Sequence, residues 1–298
     1  MTSSLSIPQR TPTAVAVRAT WEFAAPAAPR GLVLAREKGW VLAWDEKNWL
    51  YLLDRSGRRQ AQVPSPRLLT AVCCADDGSS WAAAGAGGEV WWLAPDLMPR
   101  WQRHLPHPVL AVAMDPFGQY LAVADAGGRL TVFDRNGKPV GQAGTPRPLH
   151  HLAFVPEAPV LAAAADFGFV AVFDLTGGLR WRDGLASHCG ALAVAGRGDP
   201  ILLACFSDGL HIYSLDGSRH DRRRMLEPCR LVGLSYDGRR ILVGGLSNRL
   251  LLLEADGQTL ADHSLPQPLA ALALGPLGTT AVVALTDGRV LGLDLRAE

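Results

Sequence analysis

A bulky apolar residue recurs every forty positions along the chain: Leu53, Leu93, Phe133, Phe173, Tyr213, Leu253 and Leu293. The next position reads Asp54, Ala94, Asp134, Asp174, Ser214, Glu254 and Asp294, and three residues further stand Gly57, Gly137, Gly177, Gly217 and Gly257. A second glycine series, Gly78, Gly118, Gly198, Gly238 and Gly278, keeps the same register. Self-similarity at this period implies stacked supersecondary units, none of which can bury its apolar faces alone. No other feature narrows the possible folds as far.

The third period divides into Leu110–Met114, Tyr120–Ala124, Leu130–Phe133 and a more polar run near Pro139–Gln142. Asp-Pro-Phe-Gly, Asp-Ala-Gly-Gly and Asp-Arg-Asn-Gly separate these runs; such residues supply positive φ angles and side-chain-to-backbone turn bonds. Four strands per period predict a propeller blade. The first three are apolar on both faces, as sheets sandwiched between neighbours must be, and the fourth is polar because it rims the disc. Innermost-strand positions are often small (Ala71, Ala111, Ala153, Ala191, Ala273), which suits the crowded axis. The expected fold is all-β: a seven-bladed β-propeller with four antiparallel strands per blade. It forms a single domain over residues 1–298, with blades starting near 30, 69, 109, 149, 189, 229 and 269.

The seventh blade stops after its third strand. Trp21 falls in register with Trp101 and Trp181 of two outer strands, so residues 1–29 are read as an arm and the missing outer strand. Pairing of residues near 16–24 with 289–294 would close the ring and remove exposed sheet edges.

The stretch PVLAVAMDPFGQYLAVADAGGRLTVFDRNGK resembles a WD-repeat blade. Phe133-Asp134 stands where that family has Trp-Asp, and Asp115-Pro116-Phe117-Gly118 matches its bend after the first strand. The Gly-His dipeptide is absent from every blade and none ends in a literal Trp-Asp, so the family's Asp-His network does not carry over. FDLTGGLRWR, residues 173–182, is also similar to repeats of pyrroloquinoline quinone enzymes. Both resemblances imply a fold rather than an activity, because propellers host enzymes, receptors and scaffolds alike.

Lys plus Arg number 29 against 28 Asp plus Glu, so no global field points to nucleic acid, and a binding surface must be local. Five cysteines, odd in number and without a C-x-x-C pair, are read as buried thiols. Neither a secretory h-region nor an apolar span of membrane length is present, and a cytoplasmic protein without a membrane partner is expected. Serine-hydrolase, phosphate-loop and zinc-peptidase motifs are missing. Quinone chemistry would need a calcium site and export, and neither is signalled. No catalytic residue, metal or cofactor is therefore assigned.

Three constellations stand out. In the hairpin between second and third strands one position reads Trp49, Glu89, Arg129, Phe169, Gly209, Arg249 and Arg289. Its aromatics and arginines are the types enriched at interface hot spots, although they could equally stack on neighbouring hairpins. The second residue of each innermost strand reads Arg30, Thr70, Leu110, His150, Gly190, Arg230 and Ala270, which places two arginines and a histidine at one mouth of the central channel. Arginine forks there suit a small anion or acidic peptide; water and structural ion pairs would serve as well. His107, His150 and His188 occupy interblade loops on the same face, either as loop residues in solvent or as a site if they converge, while His151 is read as a core or interblade residue.

The basic run SRHDRRRMLEP, 218–228, is read as a solvated rim of the fifth blade. Asp134-Arg-Asn-Gly137 has the spacing of a calcium loop, but its counterparts move their acidic residues, which calcium ligation would not tolerate. The expected function is a non-catalytic scaffold for protein-protein interaction. Its partner would meet the hairpin face through Trp49, Arg129, Phe169, Arg249 and Arg289. The alternative is an enzyme or small-anion binder at the channel mouth, working through Arg30, His150, His188 and Arg230.

Overall fold

In a computed structural model describing residues 15–65, 67–220 and 222–296, the chain forms 27 strands in seven sheets, with no helix among the described residues. Six of the sheets run outward from the axis in chain order. Blade three, for example, comprises Val109–Met114, Tyr120–Asp125, Arg129–Asp134 and Pro139–Gly144, a residue or two longer at most ends than the turn residues suggest. The innermost strands of the other blades are Pro29–Ala35, Leu69–Cys74, Leu149–Phe154, Cys189–Val194, Cys229–Leu234 and Leu269–Leu274. Second and third strands are buried along most of their length because they lie between two neighbouring sheets, innermost strands are half-buried where they face the axis, and fourth strands alternate or are exposed.

Every innermost strand carries a β-bulge at its second residue, the position occupied by Arg30, Thr70, Leu110, His150, Gly190, Arg230 and Ala270. A bulge leaves one residue unpaired and re-aims its side chain. These residues are thereby set apart from the apolar ladder below them.

The seventh sheet is closed from the other end of the chain: Arg18–Ala24 pairs antiparallel with Arg289–Asp294, and Ala25 N donates to Gly288 O at 2.8 Å. Before reaching blade seven the chain also touches blade six, where Val15 N bonds to Leu260 O and the Val15 side chain is buried. Residues 1–14 of the expected arm lie outside the described residues.

Blade five differs from the others. Among the described residues its three strands, Cys189–Val194, Ile201–Cys205 and Gly209–Tyr213, are followed by two isolated bridges, Leu210 to Arg223 and Tyr213 to Arg219, where the other blades have a regular fourth strand. Arg223 turns toward blade six, donates to the carbonyls of Glu254 and Ala255 (3.4 and 2.7 Å), and covers Gly257.

That contact replaces one made elsewhere by tryptophan. Trp21, Trp101 and Trp181 lie over Gly57, Gly137 and Gly217 of the following blade, where a side chain on the glycine would collide with the indole. Trp101 and Trp181 also donate their indole N–H to Arg135 O and Leu215 O. The repeated turn is thus a socket. Asp134 Oδ1 accepts the backbone N–H groups of Asn136 and Lys138, both at 2.9 Å, so this carboxylate closes a turn.

The apolar core is divided into seven clusters, each between two neighbouring blades. The cluster joining blades seven and one packs Val282, Ala284 and Val290 against Leu32, Val41, Tyr51 and Leu53, with Trp21 and Phe23 at its edge. Within it the Tyr51 hydroxyl donates to buried Asp45 at 2.8 Å, and Asp45 in turn accepts the N–H groups of Lys47 and Trp49. A buried carboxylate is tolerable because all these donors satisfy it.

Candidate functional site

The antiparallel order puts the loops between second and third strands, and those between blades, on one face of the disc. The five hairpin residues expected there have separate fates. Phe169 is 6% exposed and packs with Ala163, Ala165 and Phe173 inside the cluster between blades three and four. The hairpin tip is Asp166-Phe167-Gly168, with Gly168 at φ 80°, and Ala165 N already bonds to Phe169 O. Phe167 is consequently the aromatic that reaches the surface, at 39% exposure.

Trp49 is half-buried against the cluster of blades seven and one. Arg249 is held between Glu227, at 3.0 Å, and Asp262; Arg289 bonds to Asp287 at 2.8 Å. Ion pairs of this kind contribute little stability when exposed, but they occupy both guanidinium groups. Arg129 is exposed, and its backbone N–H is fixed by Asp125.

At the channel mouth Arg30 and His150 are exposed bulge residues. Arg230 is drawn sideways into a hydrogen bond to Leu269 O of the next blade, and its Nε is buried without a partner. The channel is a cavity of about 370 Å³ lined mainly by Leu, Val and Ala of the innermost strands, with Thr70, His150 and His151 as its polar members.

The structure brings His150 and His188 together around Asp166. The Asp166 N–H donates to His150 Nδ1 at 3.3 Å, and Asp166 Oδ2 lies 3.4 Å from His188 Nδ1. Phe167 packs on the His188 ring, with centroids 5.1 Å apart, and the Arg147 guanidinium lies over the Phe167 ring at 5.8 Å from its centroid. His107 stands apart, against Gly127 of the blade-three hairpin. Asp166, Phe167 and Arg147 went unassigned at the sequence level because they belong to loops outside the repeated positions. His151 hydrogen-bonds across the blade boundary to Cys189 O at 3.0 Å. Among the described residues no group of three or more His, Cys, Asp or Glu side chains could hold a metal ion.

All five cysteines are free thiols, four buried and Cys74 half-buried. Burial pushes Cys229 up to about 11 and Cys205 up to about 12, and raises Cys73, Cys74 and Cys189 as well. The phenols of Tyr51 and Tyr213 are raised by burial and then by their bonds to Asp45 and Asp183. Folding therefore holds these protons more tightly than the unfolded chain does. Stability from these groups is complete below about pH 8.5, where unfolded thiols are still protonated, and declines as pH rises toward the folded values. Burial lowers His151 and His211, so their contribution is present above about pH 6.5 and is lost as pH falls. Thermal melts should show a plateau between these limits and a steady fall from about pH 9 upward. A melting temperature unchanged to pH 11 would contradict the burial of the thiols and phenols.

No protein-family model matches the chain, and a search of curated proteins returns no match. Solved structures do match. The β-propeller domain of Cps50 (Swd1) from Myceliophteria thermophila superposes with a TM-score of 0.81 at 12% identity, over 94% of this chain and all of that domain. As many as 1886 solved chains match in structure, so the architecture alone selects no activity. At that identity the likeness shows the fold: a seven-bladed, WD-repeat-like β-propeller closed by its N-terminal strand.

Proposed function

We propose that this propeller is a non-catalytic scaffold that binds a protein partner through the face bearing the hairpins between second and third strands. The observation that carries the reading is the apolar surface in the loops of that face. Leu226 is 95% exposed, and Phe167, Leu68 and Leu246 are exposed with it. Exposed Arg129 and Arg147 lie in loops of the same face. Aromatic and aliphatic anchors interleaved with arginine are the composition of interface hot spots, and a rigid disc presents its loops at small entropic cost. Arg129 and Phe167 take the roles that the sequence shared among Trp49, Arg129, Phe169, Arg249 and Arg289. Five free thiols fit a reducing compartment such as the cytoplasm.

Quantitative affinity capture from the source cell tests this. The double variant Phe167→Ser/Leu226→Ser should lose a specific partner at least ~10-fold while melting like the wild type. Met98→Ser, in an exposed turn of the opposite face, should retain it. Equal recovery with both variants would overturn the assignment of the face.

A second reading, a small ligand at the channel mouth, draws support from the meeting of His150, Asp166 and His188. It differs in outcome: His188→Ala would abolish binding of a small molecule while leaving the protein partner in place.

A further inference from the structure

The opposite face carries the turns between first and second strands, and backbone hydrogen bonds stitch these turns together from blade to blade. Asp76 N donates to Pro116 O (2.9 Å), Glu157 N to Gly196 O (2.8 Å), Gly196 N to Tyr236 O (2.7 Å) and Tyr236 N to Pro276 O (2.7 Å). Between blades three and four, as between blades seven and one, no such bond forms among the described residues; Pro116 and Pro276 have no N–H to give there, and no neighbouring N–H replaces it as Glu157 does beside Pro156. At the gap between blades three and four lies a cavity of about 600 Å³, with Tyr236 reaching in from blade six.

The lining is chemically one-sided. Phe117, 66% exposed, and Tyr236 supply aromatic faces, Pro116, Pro156 and Pro159 supply apolar walls, and Glu157 and Asp115 bring carboxylates. No Lys, Arg or His lines the cavity. Asp115 is largely committed to its own turn, where it accepts the N–H groups of Phe117, Gln119 and Tyr120. Glu157 is the carboxylate that faces an occupant, and within the cleft the Tyr236 hydroxyl already hydrogen-bonds to it. A guanidinium already approaches it from outside, since Arg197 Nε lies 3.4 Å from its Oε2 on a largely exposed side chain.

We propose that this cleft receives an arginine side chain of a protein partner, with the guanidinium against Phe117 and Tyr236 and paired to Glu157, and its aliphatic stem along the prolines. An apolar side chain would cover Glu157 without compensating its lost hydration, and an anionic one would meet like charge. Lysine would satisfy the charge but not the aromatic faces, on which a planar, weakly hydrated guanidinium stacks better than an ammonium. This site is independent of the hairpin face, so each stands or falls without the other.

The test titrates the full chain with acetyl-Gly-Arg-Gly-amide and, separately, with its citrulline and leucine counterparts, followed by amide NMR. The arginine probe should shift the amides of Phe117, Ala158 and Tyr236 and bind at least ~10-fold more tightly than either counterpart. Phe117→Ala and Glu157→Gln should each weaken it ~10-fold, whereas Arg197→Gln, which removes the competing guanidinium, should tighten it ~3-fold. Equal binding of the citrulline or leucine probe, shifts confined to another surface, or no shift at millimolar concentration would overturn the proposal. So would occupation of the cleft by a second copy of this chain, seen as concentration-dependent shifts of the same amides without probe.

Discussion

A chain lacking residues 1–29 is expected to melt about 10 °C or more below the full-length protein, and its unfolding should begin at the boundary of blades seven and one. The deletion removes the whole outer strand Arg18–Ala24, leaving the backbone edge of Arg289–Asp294 unpaired. It also removes Trp21 from its seat over Gly57 and Gly292, and the Phe23 ring from Tyr51, 5.3 Å away. These contacts flank the cluster that joins the last blade to the first, and the deleted segment is also the chain that ties blade seven to blade one, so its loss opens the ring there. The single substitution Trp21→Ala leaves the strand in place and should cost about 2–3 kcal/mol, below the range for a fully buried tryptophan because Trp21 is half-buried. Differential scanning calorimetry on the three proteins checks the order. A truncated chain that melts with the wild type would mean that the ring does not depend on this strand.

The second large effect lies between blades three and four. A Cβ on Gly141 would stand 2.1 Å from Leu175 O, and one on Gly177 would stand 2.2 Å from Gln142 O; both obstacles are backbone and cannot rotate away. Gly177 also has φ 91°, which L side chains rarely adopt. Gly177→Ala should therefore cost about 3–5 kcal/mol, combining backbone strain with forced separation of two blades, and Gly141→Ala about 2–4 kcal/mol. Because both push the same pair of blades apart, the double variant should lose less than the sum. Gly144→Ala, with nothing within 4 Å of the added carbon, should change stability by less than about 0.5 kcal/mol. Chemical denaturation of the four variants measures all of these values. A harmless Gly177→Ala would show that the blades can separate at no cost.

Much of this architecture was legible in the primary structure. The position of Phe133 and its counterparts, the Asp-x-x-Gly turns and the alternation of buried strands all repeat, and a repeated local pattern identifies the unit and its strand order. Trp21, in register with Trp101 and Trp181, announced the closing strand. The indole-on-glycine contact that makes this register meaningful joins residues more than thirty positions apart, and no single blade contains it. The fifth blade shows the limit of the beat. Arg223 lies off the tryptophan register by two residues, yet it fills the same socket because its long side chain reaches the turn of blade six.

The candidate sites were less legible. Phe169 shares a column with Trp49 and Arg129, but its side chain packs into the cluster between blades three and four, and Phe167 at the hairpin tip is the exposed aromatic. Arg249 and Arg289 carry the expected residue type, and local carboxylates at Glu227, Asp262 and Asp287 occupy them.

The number of blades, the order of strands within them, the closing strand and the turn role of Asp134-Arg-Asn-Gly137 were all readable from the residues alone. These follow from periodicity and residue type within one forty-residue unit. Which side chains stay free, the place of Asp166 between His150 and His188, and the cleft between blades three and four emerged only in three dimensions. Those outcomes depend on contacts between blades, where side chains from different repeats compete for the same carbonyl, carboxylate or space.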